Sequence, residues 1–171
     1  MSLHPLDPAT PEEIRRATDV VKTVYKGISL HFKAAGLEEP PKAAMIDFLD
    51  AEHNGRSLPF LPRQVFLIWY IEYTPRLFEG IVDLGTNNLV HHVELPRDFH
   101  GPVDRIEMNE AAQVVMKDPR VQAEIKRLQI DDTTVVLDPW DYGVDGKNTQ
   151  TRHTQVNSQQ DHSILTYISL S

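Results

Sequence analysis

The chain has 171 residues, 40% of them hydrophobic, a formal net charge of −8, a pI near 5.4 and no cysteine. That is enough material for one ordinary domain or two small ones with a real core. The acidic balance argues against nucleic acid or an anionic membrane as partner, and the missing cysteines exclude disulfides, thiolate catalysis and Cys-zinc sites.

Residues 9–25 carry the strongest helix signal. Thr10 is placed as an N-cap, Pro11 suits the first helical position, and Glu13 completes a capping box. Ile14, Ala17, Val21, Val24 and Tyr25 recur at helical spacing, and Gly27 is placed to close the helix. Residues 28–34 alternate, with Ile28, Leu30, Phe32 and Ala34 against Ser29, His31 and Lys33, as a half-buried strand does. The run 41–50 fits either a helix, by its alanines, or a strand, by Ala44, Ile46 and Phe48. Residues 51–62 read as a loop marked by Gly55, Pro59 and Pro62.

From Arg63 to Leu95 the pattern predicts three consecutive antiparallel strands. Val65, Leu67, Trp69, Ile71 and Tyr73 share one face of the first, and Phe66, Ile68 and Tyr70 share the other, as in a strand covered from both sides. Thr74-Pro75-Arg76 turns the chain into a run with Phe78, Gly80, Val82 and Leu84 on one side. Gly85-Thr86-Asn87-Asn88 turns it again into Leu89, His91, Val93 and Leu95 at alternate positions.

After Pro96 comes a connector, then a helix from about Arg105 to Met116, then a second helix capped by Asp118 and opened by Pro119. Asp131-Asp132 leads into a strand over Thr133 to Leu137. From Lys147 the chain is nearly devoid of apolar residues, too polar for a core, although the last stretch, ILTYISLS, could pair if offered an edge. The expected fold class is α+β: a small antiparallel sheet packed by a helix over 1–95, an incomplete second unit of similar type over 96–146, and a divergent polar tail over 147–171. With one strand to pack its helices against, the second unit looks unfinished.

Several segments resemble the copper-containing, topaquinone-dependent primary amine oxidases, their fungal branch above all. These are HPLDPATPEEI (4–14), LEEPPKA (37–43), DFHGPVD (98–104) and DPRVQAEIKRLQI (118–130) with its continuation to VVLDPWDYGVDG (135–146). They occur in the family's order and spacing, and the resemblance stops after Gly146. It implies that residues 4–95 match the first of two small α+β domains that precede a catalytic β-sandwich, and that 41–50 is a strand. It also implies that 96–146 match the opening of the second domain. The family's reaction oxidises a primary amine to an aldehyde, releasing ammonia and hydrogen peroxide, with copper and topaquinone as cofactors.

The motifs of that chemistry do not occur in these residues. Topaquinone comes from the tyrosine of Asn-Tyr-Asp/Glu, and none of Tyr25, Tyr70, Tyr73, Tyr142 and Tyr167 follows an asparagine. Copper is held partly by His-X-His, whereas His91 and His92 are adjacent and on a strand point to opposite faces. No catalytic, cofactor-binding or metal residue is therefore assigned, and no copper or topaquinone is expected in this chain. His91 reads as a half-buried histidine with a hydrogen-bond partner, and His31 and His92 as surface residues. The acidic run Asp138, Asp141, Asp145 and Gly146 partly resembles a calcium loop but fails at its third position, Gly143, and at its twelfth, Arg152, and reads as a turn-rich strand exit. Glu72, Glu79 and Asp83 read as a solvated sheet face, and Trp69 and Trp140 as packing residues.

The expected function is that of an N-terminal oxidase fragment, inactive alone, with a homodimer or a full-length oxidase as partner and a cytoplasmic or peroxisomal location. No Ser-Lys-Leu ends the chain, which closes in Ser-Leu-Ser. The alternative is a stand-alone α+β interaction module.

Overall fold

The computed structural model describes residues 3–141, 154–160 and 166–169, and the chain forms two compact units, Met1–Arg97 and Asp98–Ser171. In the first, Thr10 starts helix α1 (Pro11–Val24) through a complete capping box. The Glu13 N–H donates to Thr10 Oγ1 at 3.2 Å and the Thr10 N–H donates to Glu13 Oε2 at 2.8 Å, so two N-terminal amides gain partners at once. Ala17 and Val21 on the buried stripe lie against a four-stranded antiparallel sheet of order β1-β2-β3-β4.

Strands β1 (Leu30–Glu38), β2 (Gln64–Ile71), β3 (Leu77–Asp83) and β4 (Asn88–Glu94) follow one another as sequence neighbours. Val65, Leu67 and Trp69 alternate on the α1 side of β2 and are fully buried, paired with Val82, Gly80 and Phe78 of β3. Leu84, Leu30, Phe32, Ile71 and Leu89 close the same core. Phe66, Ile68 and Tyr70 on the other side are half-buried, so the sheet is tightly covered on one face.

Two bulges shift what strict alternation predicts. One between Phe32 and Ala34 places Ala34 opposite Ile68, away from the face of Phe32 and Trp69, and carries β1 on to Glu38. The other pairs Val82 with Leu89 but Ile81 with His91, leaving Val90 as the extra residue. Leu89 therefore packs into the core while His91 lies exposed, which corrects the half-buried reading of His91.

The segment 41–50 is a helix, not the strand implied by the family resemblance. α2 spans Lys42–His53 and buries Met45, Phe48 and Ala51 on one stripe. A strand would have put Ile46 on the same face as Phe48, and Ile46 is 55% exposed. Helix-forming Lys42, Ala43 and Ala44 at the start agree with the 3.6-residue period. Asn54 ends the helix, its amide bonding back to Asp50 O at 2.8 Å.

In the second unit Asp104 caps α3 (Arg105–Lys117), accepting the N–H groups of Ile106 and Glu107 at 2.9 Å each. Asp118 ends α3 and caps α4 (Pro119–Leu128), accepting from the Arg120 N–H at 2.8 Å. Gln129, in the left-handed region at φ 55°, stops α4. A short 3-10 turn, Asp132–Thr134, precedes β5 (Val135–Asp141), so the strand starts later than expected and runs through Pro139. Proline is tolerated there because β5 is an edge strand.

The segment expected to be an unpatterned tail supplies two strands, β6 (Thr154–Gln160) and β7 (Thr166–Ser169), which pair antiparallel in the order β5-β6-β7. Val156 of β6 sits opposite Pro139 and is buried with Val115 of α3 and Val121 of α4. The second unit thus has a three-stranded sheet against its helices rather than one strand. Among the described residues, Val156 is the one residue of β6 that joins this small core.

Candidate functional site

Arg63, the residue that leads into β2, gathers more polar contacts than any residue singled out from the sequence. Its Nε donates to Glu13 Oε1 at 2.8 Å and its Nη2 to Glu13 Oε2 at 3.0 Å, a two-pronged pair with both side chains largely buried. Its Nη1 also donates to Asp7 O at 2.9 Å and His4 O at 3.3 Å, and Nη2 to Pro8 O at 3.1 Å. Arg63 therefore ties the N-terminal segment, the start of α1 and the start of β2 together. The guanidinium holds the Glu13 carboxyl down to about 2 and is itself pushed up by the same bond. His4 extends the junction to α2, with its ring edge-on to Phe48 at 5.5 Å and Nε2 3.7 Å from Glu52.

At the other end of α1, Tyr25 stands edge-on to Trp69 (5.8 Å), Phe78 (5.6 Å) and His92 (6.3 Å). Trp69 stacks on Phe78 at 5.9 Å and 10° between planes. Arg76 lies 5.2 Å over the Phe78 ring and grips Glu94 of β4 through Nε (3.0 Å) and Nη2 (2.6 Å). Gly80 fits this cluster by lacking a side chain: a Cβ there would lie 2.8 Å from both His91 O and Trp69 Cη2. The arrangement is a packed aromatic wall with an ion pair at its rim, which is architecture rather than a reaction centre.

The residues weighed as chemical candidates do not converge. His91 is exposed opposite Ile81, His92 faces Tyr25, and His31 pairs with Tyr70 on β1 and is half-buried rather than a surface residue. Glu72 accepts from the Ser29 hydroxyl, and Glu79 lies opposite Ile68. Asp83 accepts from the Thr86 N–H at 2.8 Å and its hydroxyl at 3.1 Å. Those bonds lower the Asp83 pKa, the reverse of what a general acid at neutral pH needs. Trp69 is core, but Trp140 is 60% exposed, its Nε1 donating to Asp138 Oδ2 at 2.7 Å, which corrects its reading as a packing residue. Tyr142, Gly143, Asp145 and Arg152 lie outside the described residues. Among the described residues no group of three or more His, Asp or Glu side chains could hold a metal ion. These residues do not fit a copper cage.

Sequence comparison decides the family. Residues 4–94 match the copper amine oxidase N2 domain. The chain belongs to the copper amine oxidase family. This N2 region contains all of β1–β4, both helices of the first unit, and the Arg63–Glu13 junction. Its relatives include copper amine oxidase 1 of Aspergillus niger, 29% identical over 147 residues, and the peroxisomal primary amine oxidase of Pichia angusta, 29% identical over 160 residues. The matches take in 82% and 88% of this chain but 22% of each relative. The chain therefore spans about a fifth of the length of the curated relatives it matches.

Among solved structures it is similar to a copper-containing benzylamine oxidase from Hansenula polymorpha, with a TM-score of 0.77, 25% identity, and coverage of 94% of this chain and 26% of that one. Pichia pastoris lysyl oxidase shares the fold at a TM-score of 0.55 and 13% identity. The α+β fold of the family's accessory domain is thus shared with known amine oxidases.

Proposed function

We propose that this chain serves as the non-catalytic N-terminal part of a copper amine oxidase and is inactive on its own. The observation that carries the reading is the N2-domain match over 4–94, a region whose polar groups serve to join elements. Its reaction would be that of the family: primary amine, oxygen and water giving aldehyde, ammonia and hydrogen peroxide. Copper and topaquinone would belong to parts of the enzyme whose motifs are missing from these 171 residues. Benzylamine is a reasonable probe, since one structural relative is a benzylamine oxidase.

The role we assign is structural, framing the catalytic part of an oxidase and docking to it or to a second copy of this chain. A peroxisomal relative supports a peroxisomal location, with a cytoplasmic one as the alternative, and no helix among the described residues is long and apolar enough to cross a membrane. The test is compositional: purify the chain from copper-supplemented cells, measure copper, and stain for quinone. Background copper and no quinone are expected. Stoichiometric copper with a positive quinone stain would refute the reading.

A further inference from the structure

Between α2 and β2 the chain runs from Asn54 to Arg63 without helix or strand. Within it stands Arg56-Ser57-Leu58-Pro59-Phe60-Leu61-Pro62. The polyproline II helix repeats every three residues, so in that conformation Arg56, Pro59 and Pro62 would line one edge, with Leu58 and Leu61 beside the prolines. An arginine followed by two Leu-Pro pairs in this register is the order that SH3-type grooves read. Aromatic-lined slots take the Leu-Pro pairs and an acidic pocket takes the arginine.

The local structure leaves this segment free for such a partner. Asn54 to Phe60 and Pro62 are exposed and Leu61 is half-buried. Leu58 is 49% and Phe60 90% exposed, an apolar display that the fold itself does not use. No hydrogen bond to or from Ser57–Pro62 appears among the described residues, so binding would break none of the chain's own there. None of Arg56–Pro62 has a left-handed φ. The prolines fix their own φ near that of polyproline II and push Leu58 and Leu61 toward the same region, which lowers the ordering entropy of docking. Arg56 bonds to Asp50 in a pair exposed on both sides, so its guanidinium can exchange that carboxylate for one on a partner at little cost.

We propose that Arg56–Pro62 is a docking segment for a protein that carries an SH3-type groove. The proposal goes beyond the accessory role above and does not depend on it. It is tested by calorimetric titration of the whole 171-residue chain with an isolated SH3 domain of the class that binds arginine-first ligands. Saturable binding is expected. Pro59→Ala combined with Pro62→Ala should weaken it by about tenfold or more, Arg56→Glu by a similar factor, and Ser57→Ala by less than about twofold. All are loop substitutions, and unchanged thermal melts show that the variants fold. Failure of the whole chain to saturate the domain overturns the proposal, whether or not a synthetic peptide of residues 54–64 binds. So does affinity indifferent to the proline or arginine substitutions, or tighter binding to a WW-type groove than to the SH3 domain.

Discussion

Arg63 and Glu13 form the junction on which the first unit closes. The Glu13 carboxyl has an ordinary pKa of 4.5 and sits at about 2 in the folded chain, chiefly through its bond to Arg63. A folded pKa below the unfolded one means that the stabilisation is complete above pH 4.5 and is lost as the pH falls toward 2. The contribution at neutral pH is on the order of 3 kcal/mol. Glu13→Gln should therefore destabilise the first unit by about 2 kcal/mol at pH 7, since it leaves a largely buried guanidinium half-partnered. In urea melts the gap between this variant and the natural chain should narrow at pH 3; a gap independent of pH would show that the pair does not titrate as described. Thr10 and Glu13 were legible as a capping box because their partners lie three residues apart. The larger role of Glu13 was not, since Arg63 reaches it only through the fold.

Gly80 makes a second residue-scale case. A methyl group there would press on a backbone carbonyl and on the fully buried Trp69 ring, neither of which can move freely. Gly80→Ala should cost about 1–3 kcal/mol and lower the melting temperature of the first unit. An unchanged melt would mean that β3 and β4 are less closely apposed than described.

At the scale of elements, local signals name the element where one period rules, leave it open where two compete, and mislead where the period breaks. α1, α3 and α4 carry caps and apolar stripes that point the same way. In α2 the alternation of Ala44, Ile46 and Phe48 competes with the helical set Met45, Phe48 and Ala51, and burial of the latter settles it. The bulges at Phe32/Ala34 and Ile81/Val82 leave no mark in composition, yet each moves the residues beyond it to the other face. β6 was missed because its run, TQVNSQQ, offers only Val156 as an apolar contact.

That single contact is testable. Val156→Asp should disrupt the core of Val115, Val121 and Val156 and lose hydrogen-exchange protection in α3 and α4, while β2 and β3 keep theirs. In the natural chain the helices over 105–128 should exchange faster than residues 63–95, because among the described residues the second unit's buried cluster is much the smaller. Equal protection in both units would contradict that ranking.

For the molecule as a whole, family was more legible than chemistry. HPLDPATPEEI holds the cap of α1 and the carbonyls that Arg63 binds, and DPRVQAEIKRLQI opens with the Asp118 cap of α4. The resemblance thus rests on residues that build elements. The same residues explain why no reaction site emerges from them: their polar groups are committed to caps, turns and ion pairs. Where the resemblance was extended to 41–50 it gave the wrong element.

The most direct test of this account is turnover by the isolated 171-residue chain supplied with copper, oxygen and benzylamine or methylamine. Peroxide release should equal that of a blank lacking the chain. Amine-dependent peroxide, rising with the concentration of the chain, would contradict the account.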